Sequence, residues 1–201
     1  MILKNMAGNI ENAISLFSKE IQGIQCTEAT VQSLFYHCLL SSGFTAKQVC
    51  LELMSDMGSL ERADVAIFSD LYNGNFSLFH NADKCQPNDQ IKRREIQALF
   101  EIKGGYHKTK TAIGKLDIWL RLYKDGQSNK SNPLSDIDKL VRWREVFPNL
   151  DYLGFVAVEF PEIRDINNEN AVVEVGNICV SKGINFIYIN SQTGFYKVYS
   201  P

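Results

Sequence analysis

The chain has no run of about 18 apolar residues, so no membrane-spanning helix is expected, and residues 1–8 lack the long apolar stretch of a secretory leader. A cytoplasmic protein is the resulting expectation. Cysteine is scarce and poorly spaced for structural use: the five, at positions 26, 38, 50, 85 and 179, are odd in number and form no C-x-x-C pair. That pattern fits neither a disulfide framework nor a zinc site and predicts reduced thiols. With 5 prolines and 13 glycines among 201 residues, the chain is neither collagen-like nor a disordered tail. Gly104-Gly105 belongs to neither G-x-G-x-x-G nor G-x-x-x-x-G-K-S/T, which disfavours nucleotide binding. His37, His80 and His107 show no metal-ligand spacing, and no Ser/His/Asp or Cys/His set stands out.

What is present describes an ordinary globular chain, 45% hydrophobic and 22% charged, of a length that suits one domain over residues 1–201. The net charge of −2 weighs against a non-specific nucleic-acid coat, yet it hides an asymmetry. Residues 84–130 hold 11 of the 21 basic side chains and 5 acidic ones, a local +6 set in a remainder of −8. A basic stretch on an acidic body suggests a localised polyanion contact. Lys92, Arg93, Arg94, Lys108, Lys110 and Lys115 are the candidates, being the kind of residue that contacts phosphates.

Hydrophobic periodicity predicts helices over 9–22 and from a Thr27 cap to about 42, then strands over 48–54 and 63–68 as a hairpin turning near Gly58. A short strand over 76–79, a polar loop over 81–95 and an apolar strand over 96–103 follow. Further helices are expected over 111–123, from a Ser135 cap to near Pro148, and over 169–181. Strands over 152–160, 184–189 and 195–199 complete a mixed sheet flanked by helices. Trp119 and Trp143 are expected to pack in the core or between helices, and His37 to be partly buried.

The chemistry-bearing segment is Leu99-Phe100-Glu101-Ile102-Lys103. Residues two apart on a strand share a face, so Glu101 and Lys103 stand side by side at the end of an apolar run. Asp64, at the start of the strand over 63–68, is a carboxylate whose burial would demand a partner or a metal. If the two strands are neighbours, both carboxylates converge on one hard divalent cation. Mg²⁺ needs only one or two protein carboxylates beside water and substrate phosphate. Lys103 would then stand next to the attacking water.

Glu28 on an early helix, a hairpin bearing Arg62-Ala63-Asp64, and Glu101-Ile102-Lys103 followed by helix and strand together resemble the PD-(D/E)xK nuclease superfamily, with Ala63 where the family name has proline. The resemblance spans about residues 27–190, leaving helix 9–22 as an appendage and 73–95 as an insertion. It implies an α/β fold with an αβββαβ restriction-endonuclease-like core, in which Ile137-Asp138-Lys139-Leu140 resembles the helix after the ExK strand. By the same resemblance Asp64, Glu101 and Lys103 are catalytic, and Asp64, Glu101 and Glu28 hold Mg²⁺, for which Mn²⁺ can substitute. Asp89, in Pro87-Asn88-Asp89, is a rival to Asp64 at shorter spacing, disfavoured because no strand stands behind it. The implied activity is Mg²⁺-dependent endonucleolytic hydrolysis of DNA, in restriction or defence against foreign DNA, with RNA left open as substrate. Cutting both strands takes two centres, which is consistent with a homodimer although the sequence shows no interface. The alternative is a catalytically silent nuclease-like module that binds nucleic acid or a protein partner.

Overall fold

A computed structural model describes residues 2–54, 62–70, 72, 95–104, 116–126, 134–147, 149–160 and 169–201. Met6, Ile10, Ala13, Ile14 and Phe17 recur at helical spacing and are all buried, and α1 (Ile2–Glu20) carries them. It begins seven residues before the predicted 9, and Met6 adds one turn to the buried stripe. In α2 (Glu28–Ser41) the expected cap is present: extended Thr27 accepts the Thr30 N–H through its hydroxyl. Edge-on rings join the two helices to the sheet, Phe17 to Phe35 at 5.3 Å and Phe35 to Phe100 at 5.2 Å.

Six strands form one mixed sheet in chain order: β1 (Val49–Met54), β2 (Arg62–Phe68), β3 (Ile96–Lys103), β4 (Tyr152–Glu159), β5 (Asn185–Asn190) and β6 (Tyr196–Tyr199). The first three pair antiparallel, β3, β4 and β5 run parallel, and β6 returns antiparallel. α1 and α2 cover one face over Val65, Ile67, Phe100, Ile102, Val156 and Ile187. The other face carries α3 (Leu116–Lys124), α4 (Ser135–Val146) and α5 (Glu169–Ser181), packed around Leu99, Trp143, Phe155 and Phe186. Because both faces are covered, the central strands read as nearly unbroken apolar runs. Gly154 fits the pattern: a Cβ there would lie 2.3 Å from Cδ1 of Phe100, its partner across the β3–β4 ladder, so only glycine leaves room for that ring. The α/β mixed sheet flanked by helices is therefore as expected.

Some local expectations are corrected. Ser135 is the first residue of α4 rather than its cap; the capping position is Leu134, fully buried, with helical backbone and no side-chain capping bond. A buried apolar residue leads the chain into this helix, so packing replaces the usual polar cap. His37 is exposed, because the buried stripe Val31, Phe35, Cys38 and Leu39 leaves position 37 on the outer side of α2. α3 is described from Leu116, and residues 111–115 lie outside the described residues, as do the Gly58 turn, the strand over 76–79 and most of the insertion over 73–95. Trp143 is buried as predicted, and Cys26, Cys38, Cys50 and Cys179 are free thiols. Among the described residues no helix is long and apolar enough to cross a membrane.

Candidate active site

β3 is buried along its length and changes character at its C-terminal end, where Glu101 and Lys103 follow Leu99 on the face toward α4. The antiparallel register, Val65 opposite Phe100, brings Asp64 opposite Glu101 just past the last ladder pair. There Asp64 Oδ2 accepts the Ile102 N–H at 2.6 Å, so a side chain takes the place of a ladder carbonyl. On the far side of β2, Leu51 pairs with Val65 and Leu53 with Ala63, which leaves Glu52 across from Asp64. Glu52 has φ 54°, a left-handed conformation costing a non-glycine residue roughly 1 kcal/mol or more. The distortion turns Cys50 and Leu53, three residues apart, into the same core. Arg62 secures Glu52 at 2.9 Å.

Two helices complete the cluster from opposite layers. From α2, Glu28 reaches toward the end of β3, where Lys103 and the Gly104 N–H oppose the rise in pKa that burial gives its carboxyl. Gly104 permits that close strand end, since a Cβ on it would meet Val158 Cβ at 2.8 Å. From α4, Lys139 Nζ lies 2.6 Å from Glu101 Oε1 and donates to the Arg62 carbonyl at 2.6 Å. Asp136 bridges both lysines, with Oδ2 2.9 Å from Lys103 and Oδ1 3.3 Å from Lys139. Lys103 is 3.7 Å from Glu101 Oε2.

The electrostatics follow from burial among like charges. Burial, and next the Asp64 carboxylate, push Glu101 well above the ordinary carboxylate range, against the pull of Lys139 and Lys103. Burial also raises Asp64, which Lys103 and the Ile102 N–H draw back, and it raises Glu28. For Lys103 burial acts to lower the pKa, yet Glu101, Asp64, Asp136 and Glu28 together outweigh it and hold the ammonium well above its usual value. Among the described residues four carboxylates face two ammonium groups, a formal net charge of −2.

Glu101 is 0% exposed, and neither of its oxygens receives a well-directed hydrogen bond from the described residues; its ammonium contacts are ionic. A buried carboxylate so placed, beside 8% exposed Asp64 and in a cluster of net charge −2, fits a divalent cation. Among the described residues no three His, Cys, Asp or Glu side chains form a ready-made ligand set.

Asp64, Glu101, Lys103 and Glu28, read from separate segments of the chain, thus meet in one electrostatic cluster. Lys92, Arg93, Arg94, Lys108, Lys110 and Lys115, the rival Asp89, and His80 and His107 lie outside the described residues. Sequence reasoning did not assign Asp136 and Lys139 to the site. Their signal was an acid–base pair three residues apart on one helix, a pattern common on solvated faces. It also passed over Glu159, 3% exposed at the end of the apolar strand β4, where it accepts the Tyr188 hydroxyl at 2.6 Å. Comparison with family models, curated proteins and solved structures finds no match.

Proposed function

We propose that the protein is a Mg²⁺-dependent nuclease that hydrolyses phosphodiester bonds in DNA. The observation that carries this reading is the meeting of Asp64, Glu101 and Lys103 at the C-terminal end of β3, with Asp64 anchored to the Ile102 N–H beside fully buried Glu101. Asp64 and Glu101 would hold the cation, with Glu28 at its rim. Bound there, Mg²⁺ would supply charge neutralisation on the phosphodiester and acidify a water molecule. Lys103 would orient that water and stabilise charge growing on the phosphate, a role for which its neighbours keep it fully protonated. The order of α2, three antiparallel strands, helices and parallel β4 agrees with the αβββαβ arrangement that the sequence resemblance implies. Restriction or defence against foreign DNA would be the setting, Mn²⁺ a substitute for Mg²⁺, and a homodimer the source of a second centre.

The test is incubation of the full chain with supercoiled plasmid, linear duplex, branched DNA and RNA, with and without Mg²⁺ or Mn²⁺. Metal-dependent cleavage is expected, reduced by roughly a hundredfold or more in Glu101→Ala and in Lys103→Ala. Undiminished cleavage by a folded double variant overturns the assignment. The second reading, a silent module binding nucleic acid or a protein partner, draws on the fact that two lysines already meet Glu101. Calorimetry separates the two readings, since the nuclease must bind Mg²⁺ or Mn²⁺ and the module need not.

A further inference from the structure

Among the described residues, the ammonium nearest Glu101 does not come from its own strand. Lys139 Nζ is 2.6 Å from Oε1, against 3.7 Å between Lys103 and Oε2. Among the described residues, three oxygens from three elements stand around Lys139 Nζ: Glu101 of β3, the Arg62 carbonyl of β2 and Asp136 of α4. A hard cation asks for this kind of environment, and here a lysine head occupies it. The head is not sealed in: the Lys139 side chain is 12% exposed and that of Asp136 is 24% exposed, so both lie toward solvent from Glu101, which is fully buried. Asp136, on the same helix, gives the ammonium a second carboxylate on which to settle.

We propose that Lys139 is a displaceable counter-cation. It neutralises Glu101 while no divalent cation is bound and moves toward Asp136 and solvent when one enters, so that it sets the affinity of the site for metal. The proposal rests on the metal-binding reading above. Its physical basis is competition: a monovalent head and a divalent ion seek the same carboxylate oxygens, and two cations within a few ångströms repel strongly where water is excluded. Without Lys139 the cluster goes from a formal −2 to −3, and an entering cation no longer has to displace anything.

The experiment is calorimetric titration of Mn²⁺ into the full chain with its natural sequence and into Lys139→Met, Asp136→Asn and Glu101→Gln, without nucleic acid. Lys139→Met keeps the apolar stem and removes the charge, and Mn²⁺ is expected to bind it about tenfold more tightly, a change of about 1.4 kcal/mol. Asp136→Asn removes the oxygen to which the ammonium retreats, and its affinity is expected to fall several-fold. Glu101→Gln abolishes binding. Unchanged or weaker binding by Lys139→Met, with the natural protein binding and Glu101→Gln not, overturns the counter-cation role and leaves the metal site standing. Absence of Mn²⁺ binding by the natural protein overturns both. Should Lys139→Met unfold for want of a partner to Glu101, added Mn²⁺ is expected to restore its circular dichroism. If Mn²⁺ does not restore it, Asp136→Asn decides, and undiminished affinity there overturns the proposal.

Discussion

The two faces of the sheet are built to different ends. Beneath α1 and α2 the interface is largely apolar, a column of Phe17, Phe35 and Phe100 flanked by Ile10, Val65, Ile102 and Val156, with Ser18 and Gln32 as buried polar side chains of these helices. Beneath α3, α4 and α5 an equally apolar core around Trp143, Phe155 and Phe186 gives way, at the end of β3, to Glu101, Lys103, Asp136 and Lys139. Charges buried in this way seldom add stability over an apolar replacement, and removing one partner leaves the other uncompensated. Both faces therefore stabilise the fold through apolar burial, and the second also carries a buried charged cluster that adds little to that stability.

Breaking the first face should have the larger effect on folding. Phe35→Ala removes the ring between α1 and the sheet and is expected to cost about 3–5 kcal/mol in denaturant unfolding. Mn²⁺ affinity per folded molecule should stay unchanged, and a large drop in that affinity would blur the division between the faces. Gly154→Ala pushes a methyl group into the Phe100 ring and is expected to cost about 1–3 kcal/mol by the same measurement. A neutral result would mean that the ring shifts freely.

The second face is sharpened by pH rather than by packing. Glu101 has a raised folded-state pKa, so above the ordinary value of 4.5 the unfolded chain releases this proton while the folded chain still holds it. The unfolded state then binds fewer protons, and this group's contribution to stability falls as pH rises from 4.5 toward the raised value. Glu101→Gln removes the penalty. In metal-free buffer the stability difference between variant and natural protein should move steadily in the variant's favour from about pH 5 upward. Parallel thermal denaturation curves for the two proteins across that range would show that the lysines fully compensate the carboxylate.

Much of this was legible locally. The strand Ile96–Lys103 and the helix Glu169–Ser181 fall where hydrophobic periodicity places them, because each buries residues that follow its own repeat. Asp64, Glu101 and Lys103 could be singled out because a charge on an apolar strand conflicts with its surroundings, and the conflict is visible without coordinates. Asp136 and Lys139 could not, since their helix would look the same on a solvated surface; only its docking over β3 turns an ordinary i, i+3 pair into part of the cluster. Leu134 in place of a polar cap, and exposed His37, are likewise consequences of which way a helix faces.

Among the described residues, residue order alone determined which segments are strand or helix and which charges sit on apolar elements, because both depend on periodicities of two and 3.6 residues within a few turns of chain. Tertiary structure alone decided that Lys139 reaches Glu101 and that Asp64 caps the Ile102 N–H. Those contacts join residues 38 apart in sequence, and their geometry is fixed by strand register and helix docking rather than by any local preference.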